Sequence, residues 1–292
     1  MFHAITGDET GLLKLVNVND RSSLAYGSQS RLKSVKALSW FDFEKSFIAL
    51  RVNSTVEYYD VDPSKKGSEI SLKKSIDLKD FTSPVGCFSV GSPEDCSTLF
   101  FDQSGLTSIV KAPTDKVKPK ESCRFDANGP ISAGATSKNA AAFGGRENDV
   151  QLWDISTQKN VWKGKNVPFD SLSLRVPIYI TAIKFLGNSS DANGAKLITG
   201  TGYKQLRVYD TKARRQPVVS FDIGGEDAYR VTSILPSDDG RTVTQKLALN
   251  YFTPKLSQLN PKMYPMSQLN PKMYTRFTSR TLLAVCICGI LG

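Results

Sequence analysis

A short unit is written several times along this chain, and no single copy could bury its own apolar face. Each copy opens on a small-residue turn and continues as an alternating strand ending in a large residue followed by Asp or Asn. The clearest copies are Gly144-Gly145-Arg146-Glu147-Asn148-Asp149-Val150-Gln151-Leu152-Trp153-Asp154 and Gly200-Thr201-Gly202-Tyr203-Lys204-Gln205-Leu206-Arg207-Val208-Tyr209-Asp210. Fainter copies end at Tyr59-Asp60 and at Val16-Asn17. Units of this size must lean on one another, so the repeat dictates a stacked architecture.

The spacing selects the kind of stack. Asn17 and Asp60 are 43 residues apart, Asp60 and Asp154 are 94 apart, and Asp154 and Asp210 are 56 apart. The middle interval is two units of 47 with a faint copy near 104–111, and the last carries an insertion. WD-type propeller blades repeat every ~40–45 residues and hold four strands each, and Trp153-Asp154 is the dipeptide typical of them. Stretches 47–50, 98–101, 178–180 and 196–199 read as strands, being short, β-branched or aromatic and bounded by turn formers. No long stripe of helical periodicity is present.

The expectation is therefore an all-β, WD40-type β-propeller over residues 1–243, with about five blades and an irregular tail over 244–292. The first copy begins mid-blade, as though the C-terminal end should supply its leading strands. An open arc of this kind has raw edges and predicts marginal solubility. Tyr59, Asp60, Trp153, Asp154, Tyr209 and Asp210 define the repeat. Trp153 and Tyr209 are expected to pack against the following blade.

The tail differs in character. The segment 257–264 recurs unchanged as 267–274, a direct duplication at a ten-residue spacing unlike the blade unit. After Asp239 there is no acidic residue but seven basic ones, leaving 31 basic against 28 acidic residues before it. Most of the net charge of +10 thus belongs to the tail, and the overall basicity says little about nucleic-acid binding by the folded part. The apolar run at the end, about a dozen residues, is short of the ~20 a membrane span needs. Cys286 and Cys288 lack two further ligands nearby for a zinc site. Residues from about 244 on read as an alternative-splice, retained-intron or frameshift product rather than a functional basic arm.

Little in the chain points to catalysis. His3 is the only histidine, at the extreme N-terminus, which argues against Ser-His-Asp, Cys-His or His-rich metal arrangements. Gly200-Thr201-Gly202 opens a strand, not a helix, and lacks the third glycine of a dinucleotide fingerprint. Glu226-Asp227 and Asp238-Asp239 are paired acids in turn-like context and read as solvated loops. The five cysteines are odd in number and scattered, with no secretory signal, so cytosol or nucleus is the expected compartment. No cofactor, small-molecule substrate or membrane is expected, and the chain is not expected to be an enzyme.

What remains is surface. Basic residues gather at 31–36, 111–124, 159–165 and 204–215. Each is either a solvated loop or a contact to phosphates or an acidic partner. Lys204 and Arg207 have opposite parity along a strand, so only one can share the face of Gln205 and Tyr209.

One ordered set goes beyond a generic WD repeat. It comprises Gly144-Gly145-Arg146-Glu147-Asn148 with Leu152-Trp153-Asp154, then Leu174-Arg175-Val176-Pro177-Ile178, Thr199-Gly200-Thr201-Gly202-Tyr203, Gln205 to Asp210, and Arg214-Arg215-Gln216-Pro217-Val218. With the opening Thr10-Gly11-Leu12-Leu13-Lys14, this resembles the Nop-seven-associated family, also called the WD repeat-containing protein seventy-four family. The resemblance covers about residues 4–243.

It implies a seven-bladed propeller that acts as a non-enzymatic assembly factor on precursor large ribosomal subunits, in nucleus and nucleolus. It also implies release by an AAA-type ATPase and contact with RNA-processing machinery. The last blades are missing here, and the tail has no counterpart in the family. Arg175, Lys204, Arg207, Arg214 and Arg215 are the candidate contacts to partner protein or RNA, with strand-end packing or loop charge as the other reading. A general WD adaptor of a ubiquitin ligase or chromatin complex is the alternative function, since propellers host many unrelated roles.

Overall fold

The computed structural model describes residues 4–16, 22–42, 45–62, 69–91, 97–111, 120–187, 194–223, 230–236, 243–247 and 251–252. Among these residues the only helical element is a single 3-10 turn, Arg31–Lys33. The strands sort into six antiparallel sheets, numbered here in chain order. Sheets 2 to 5 have four strands each, laid side by side in chain order, and sheets 1 and 6 have three. The WD-type propeller is thus present as four complete blades flanked by two partial ones.

Residue 243 opens a strand, Val243–Leu247, which pairs in sheet 6 with Val231–Pro236 and Tyr251–Phe252. His3, Asn17, Cys96, the acid pairs at 226–227 and 238–239, and the chain from 253 on lie outside the described residues.

Period-two alternation explains how the sheets stack. In sheet 4 the strands are Ala133–Ser137, Ala140–Gly145, Asn148–Asp154 and Lys159–Lys163. Ala141, Phe143 and Trp153 point to sheet 3 and join a core with Leu99, Phe101, Ile109 and Phe125. Ala140, Ala142, Val150 and Leu152 point the other way and join Ile183, Leu197 and Tyr209 of sheet 5. A residue and its sequence neighbour therefore serve two different interfaces, which is why these strands read as nearly continuous apolar runs. Equivalent cores fill the spaces between sheets 1 and 2, 2 and 3, and 5 and 6.

The large residue of the repeat faces backwards along the chain. Trp153 stacks on Phe125 of sheet 3 at 5.2 Å, and Tyr209 meets Trp162 of sheet 4 edge-on at 5.8 Å. Tyr59, in the third strand of sheet 2 (Thr55–Asp62), likewise meets Tyr26 of sheet 1 at 5.6 Å. The expectation that Trp153 and Tyr209 pack against the following blade is thus corrected: they pack against the preceding one. Parity fixes that a side chain lies on one face, but the direction of the ring decides which neighbour that face meets.

The repeated glycines have a packing role as well as a turn role. A Cβ at Gly7 would sit 2.6 Å from Val35 Cγ1, and one at Gly144 would sit 2.8 Å from Ile180 Cδ1. A Cβ at Gly200 would overlap Val231 in the same way. In each case the glycine is the last or next-to-last residue of its strand, and the apolar residue opens the first strand of the next sheet. Only a residue without a side chain lets those two backbones approach. The same correspondence shows that sheet 1 holds the second to fourth strands of a blade. Its first described turn agrees: Asp8 Oδ1 accepts from the Thr10 and Leu12 amides at 2.9 and 3.0 Å, as Asp102 Oδ1 accepts from Leu106 at 3.0 Å in sheet 3.

A buried polar position runs through sheets 2 to 5, two residues before the one that faces backwards. It holds Glu57, Ser108, Gln151 and Arg207, which are 8, 1, 1 and 1% exposed. Glu57 Oε2 accepts from Arg51 Nε at 2.6 Å and from the Tyr59 hydroxyl at 2.7 Å, and Arg51 Nη1 reaches the Gly11 and Lys33 carbonyls of sheet 1 and its exit loop, each at 2.8 Å. Gln151 Nε2 donates to the Asn128 carbonyl at 3.1 Å, in the linker from sheet 3. Ser108 Oγ donates to Glu121 Oε1 at 2.8 Å within its own sheet. Buried polar groups survive only when paired, and here three of the four pairings latch a sheet to the chain that leads into it.

Candidate partner-binding surface

The antiparallel order sends the loops to two ends. Turns between second and third strands, and linkers between sheets, emerge at one end; the remaining turns emerge at the other. The long linker from sheet 4 to sheet 5, residues 164–179, dominates the first end.

This linker is held at its base from inside. Arg207 Nη1 donates to Asn166 Oδ1 at 2.9 Å, and Asn166 Nδ2 donates to the Val176 carbonyl at 2.6 Å, closing the loop between them. The tip is ordered by Asp170, whose Oδ1 accepts from the Leu172 and Leu174 amides, each at 2.9 Å. The Asp170 amide donates in turn to the Leu174 carbonyl at 3.0 Å, and the Ser173 amide to the Asp170 carbonyl at 3.0 Å. A compact loop with close ends and internal bonds is an Ω-loop, a form often used for binding. It presents Phe169, Leu172 and Leu174 to solvent at 68, 75 and 59% exposure.

Charge surrounds it. Arg175 Nη1 pairs with Glu147 Oε2 at 2.9 Å, with both side chains exposed. Glu147, at φ 52° in the turn of sheet 4, donates its amide to Ile178 O at 2.8 Å and so fixes the linker exit. Tyr179 bridges to Arg146, accepts from the Gly202 amide at 2.8 Å and lies edge-on to Tyr203 at 6.3 Å. Below the surface, burial pushes the Asp149 carboxyl up from its ordinary pKa, against the opposing pull of Arg207, Lys163 and Arg175. Burial also raises the Tyr209 phenol, to about 12.

The five basic residues singled out from the sequence come from different parts of sheet 5 and its linker. Arg175 and Lys204 lie at the linker end; Lys204 sits in the turn between the second and third strands of sheet 5, at φ 54°. Arg214 and Arg215 are exposed and lie between the third and fourth strands of that sheet, where the Arg215 carbonyl accepts from the Lys165 amide at 2.8 Å, at the start of the linker. Arg214 Nη2 donates to Pro217 O at 2.9 Å, and Arg215 Nε reaches across to Lys163 O at 2.7 Å.

Arg207 needs correcting. It is 1% exposed, and its guanidinium is committed to Gln205 Oε1 at 2.8 and 3.2 Å as well as to Asn166. It cannot serve as a contact, because removing a buried guanidinium from these acceptors would strand it. The repeat aspartates are also structural. Asp154 and Asp210 cap the turn after the third strand, accepting from Ser156 and Lys212 amides at 2.9 and 3.0 Å, and Asp60 pairs with Lys73 at 2.7 Å.

The apolar loop was missed by charge-based reading, although Phe169, Leu172 and Leu174 stand in a polar, proline-bearing linker where no strand alternation accounts for them. Among the described residues, no group of three His, Cys, Asp or Glu could hold a metal ion, and no helix is long and apolar enough to cross a membrane.

No family model matches the chain. Curated proteins do. WD repeat-containing protein 74 of Bos taurus is 27% identical over 82% of this chain and 60% of its own length. Ribosome biogenesis protein NSA1 of Meyerozyma guilliermondii is 32% identical over 62% of this chain and 47% of its own length. Ribosome biogenesis protein nsa1 of Schizosaccharomyces pombe is 33% identical over 88% of this chain and 71% of its own length. The chain spans about 60% of the length of the WD repeat-containing protein 74 relatives it matches. With the six sheets and the repeated blade unit, these likenesses establish that the chain belongs to the family of WD repeat-containing protein 74 and ribosome biogenesis protein nsa1.

Proposed function

We propose that this chain is a non-catalytic scaffold in large ribosomal subunit biogenesis, acting on rRNA processing and precursor-particle maturation in the nucleus and nucleolus. The observation that carries the reading is the likeness to ribosome biogenesis protein nsa1 over most of both chains. The disposition of polar groups supports it. Three of the four buried pairings described above join a sheet to the chain that leads into it, and what is offered outward is loop surface at the two ends of the blades. Release from the particle by an AAA-type ATPase completes the proposal, and Arg175, Lys204, Arg214 and Arg215 are its candidate contacts to protein or rRNA.

The test is a gradient. Tagged protein, expressed at its natural level, should enrich in nucleoli and co-sediment with precursor large subunits. Its depletion should accumulate large-subunit rRNA precursors. Exclusion from nucleoli together with absence from precursor fractions would sink the proposal; recovery with ubiquitin-ligase or chromatin subunits would put a general adaptor in its place. If phosphate contacts contribute, retention on particles should fall steeply with added salt.

A further inference from the structure

Resting on that reading, we propose that the 166–176 loop is a protein-docking element that inserts Phe169, Leu172 and Leu174 into an apolar pocket whose rim carries Asp or Glu side chains.

Three observations converge. The first is exposure. Three large apolar side chains, at 68, 75 and 59%, fall within six residues, whereas the inter-sheet cores bury most other large apolar groups. Scattered exposed leucines are ordinary, but a cluster on one loop marks an interaction site.

The second is order. The loop is closed at its base by Asn166 and Val176, and four hydrogen bonds between Asp170 and its neighbours fix the tip. A loop already held in shape loses little conformational freedom on docking, so its apolar contacts translate into affinity. The buried Arg207–Asn166 bond extends that rigidity down into sheet 5.

The third is charge. Lys165, Arg146 and Arg175 are exposed around the loop. The acids nearby are already engaged: Asp170 with backbone amides and Glu147 with Arg175. Three exposed basic residues against these two carboxylates leave the rim with a small net positive charge, which favours a partner with carboxylates around its pocket and sets orientation, while the apolar centre supplies affinity. Leu172 and Leu174 have no π-face to stack on a base and no donor for phosphate, which favours protein over RNA.

The experiment places a photoreactive benzoylphenylalanine at position 169 of the full-length protein in cells. After irradiation, adducts are separated on a sucrose gradient, treated with nuclease, and the cross-linked peptide is sequenced. The expected result is a nuclease-resistant protein adduct, in precursor large-subunit fractions, whose peptide contains apolar residues with Asp or Glu close by. Its yield should fall about fivefold or more with Leu172→Ser plus Leu174→Ser, and likewise with Arg175→Glu. Those positions are exposed, so thermal melting should be unchanged, which separates lost docking from lost folding.

An adduct to RNA alone, to a second copy of the chain, or to a peptide without acidic residues overturns the inference, as does the absence of any adduct from protein that does sediment with precursors. An adduct of the expected chemistry found away from precursor particles supports the docking loop and overturns ribosome assembly instead.

Discussion

The Nη1 atom of Arg207, buried in the third strand of sheet 5, donates to Asn166 Oδ1 at 2.9 Å and so ties the interior to the loop that leaves sheet 4. Replacing Arg207 by Met keeps an unbranched apolar stem and removes the donors, taking the guanidinium from Gln205 Oε1 and leaving Asn166 Oδ1 with only the Val167 amide. Hydrogen bonds to a charged group contribute about 1.5–3 kcal/mol, and a loss of that order is expected in urea unfolding. Cleavage of the native protein by protease within 167–175 should accelerate too. Unchanged values for both would refute the latch.

Two buried tyrosines should respond oppositely to the same change. The Tyr59 hydroxyl donates to Glu57 at 2.7 Å and accepts from Arg51 Nη2 at 3.2 Å. Tyr59→Phe should cost about 1–3 kcal/mol, because the buried ion pair loses a member of its network. The Tyr209 hydroxyl has Arg207 as a charged neighbour but no hydrogen-bond partner of acceptable geometry. Tyr209→Phe should be neutral or slightly stabilising. Parallel denaturation curves decide it, and equal losses would refute the distinction.

Gly200→Ala should destabilise by about 1–3 kcal/mol, the usual range for overpacking a filled core. The new methyl overlaps Val231, which is fully buried between sheets 5 and 6. Combining Gly200→Ala with Val231→Ala should recover part of the loss, giving a coupling visible in a double-mutant cycle. Strict additivity would show that the close approach is unimportant.

Asp149 gives a pH signature. Burial raises its folded pKa above the unfolded value, so the protonated form is the one the fold favours. Its ionisation therefore costs stability as pH rises from the unfolded to the folded pKa, and the cost is full above the folded pKa. Asp149→Asn should be more stable than the parent at pH 7, with the difference shrinking as pH falls through the carboxylate range. A difference that grows on acidification would reverse the assignment.

The architecture was legible because its signal is periodic. The tract ending at Trp153-Asp154 and that ending at Tyr209-Asp210 each give a third strand, and the faint copy near 104–111 gives another, Leu106–Lys111. Parity even held the clue to Arg207: it shares odd numbering with Tyr209, a residue already assigned to the core, yet its charge suggested a surface. What parity cannot supply is which neighbour a face meets, and so Trp153 was expected to pack forwards when it packs backwards. The apolar loop was illegible for a different cause. Phe169, Leu172 and Leu174 look like core material in composition, and only their exposure, set by Asp170 and Asn166, distinguishes them.

The buried polar position changes identity from sheet to sheet: Glu57, Ser108, Gln151, Arg207. Leaves of near-equal shape invite misthreading, in which one leaf settles against the wrong neighbour during folding. Three of the junctions carry their own lock, into sheets 2, 4 and 5. Were sheet 5 to settle where sheet 4 belongs, its guanidinium would face the carbonyl of Asn128 without Asn166, and a charge would be stranded in a dry seam. The unlike residues at this one site thus encode the sequence in which alike pieces must be assembled.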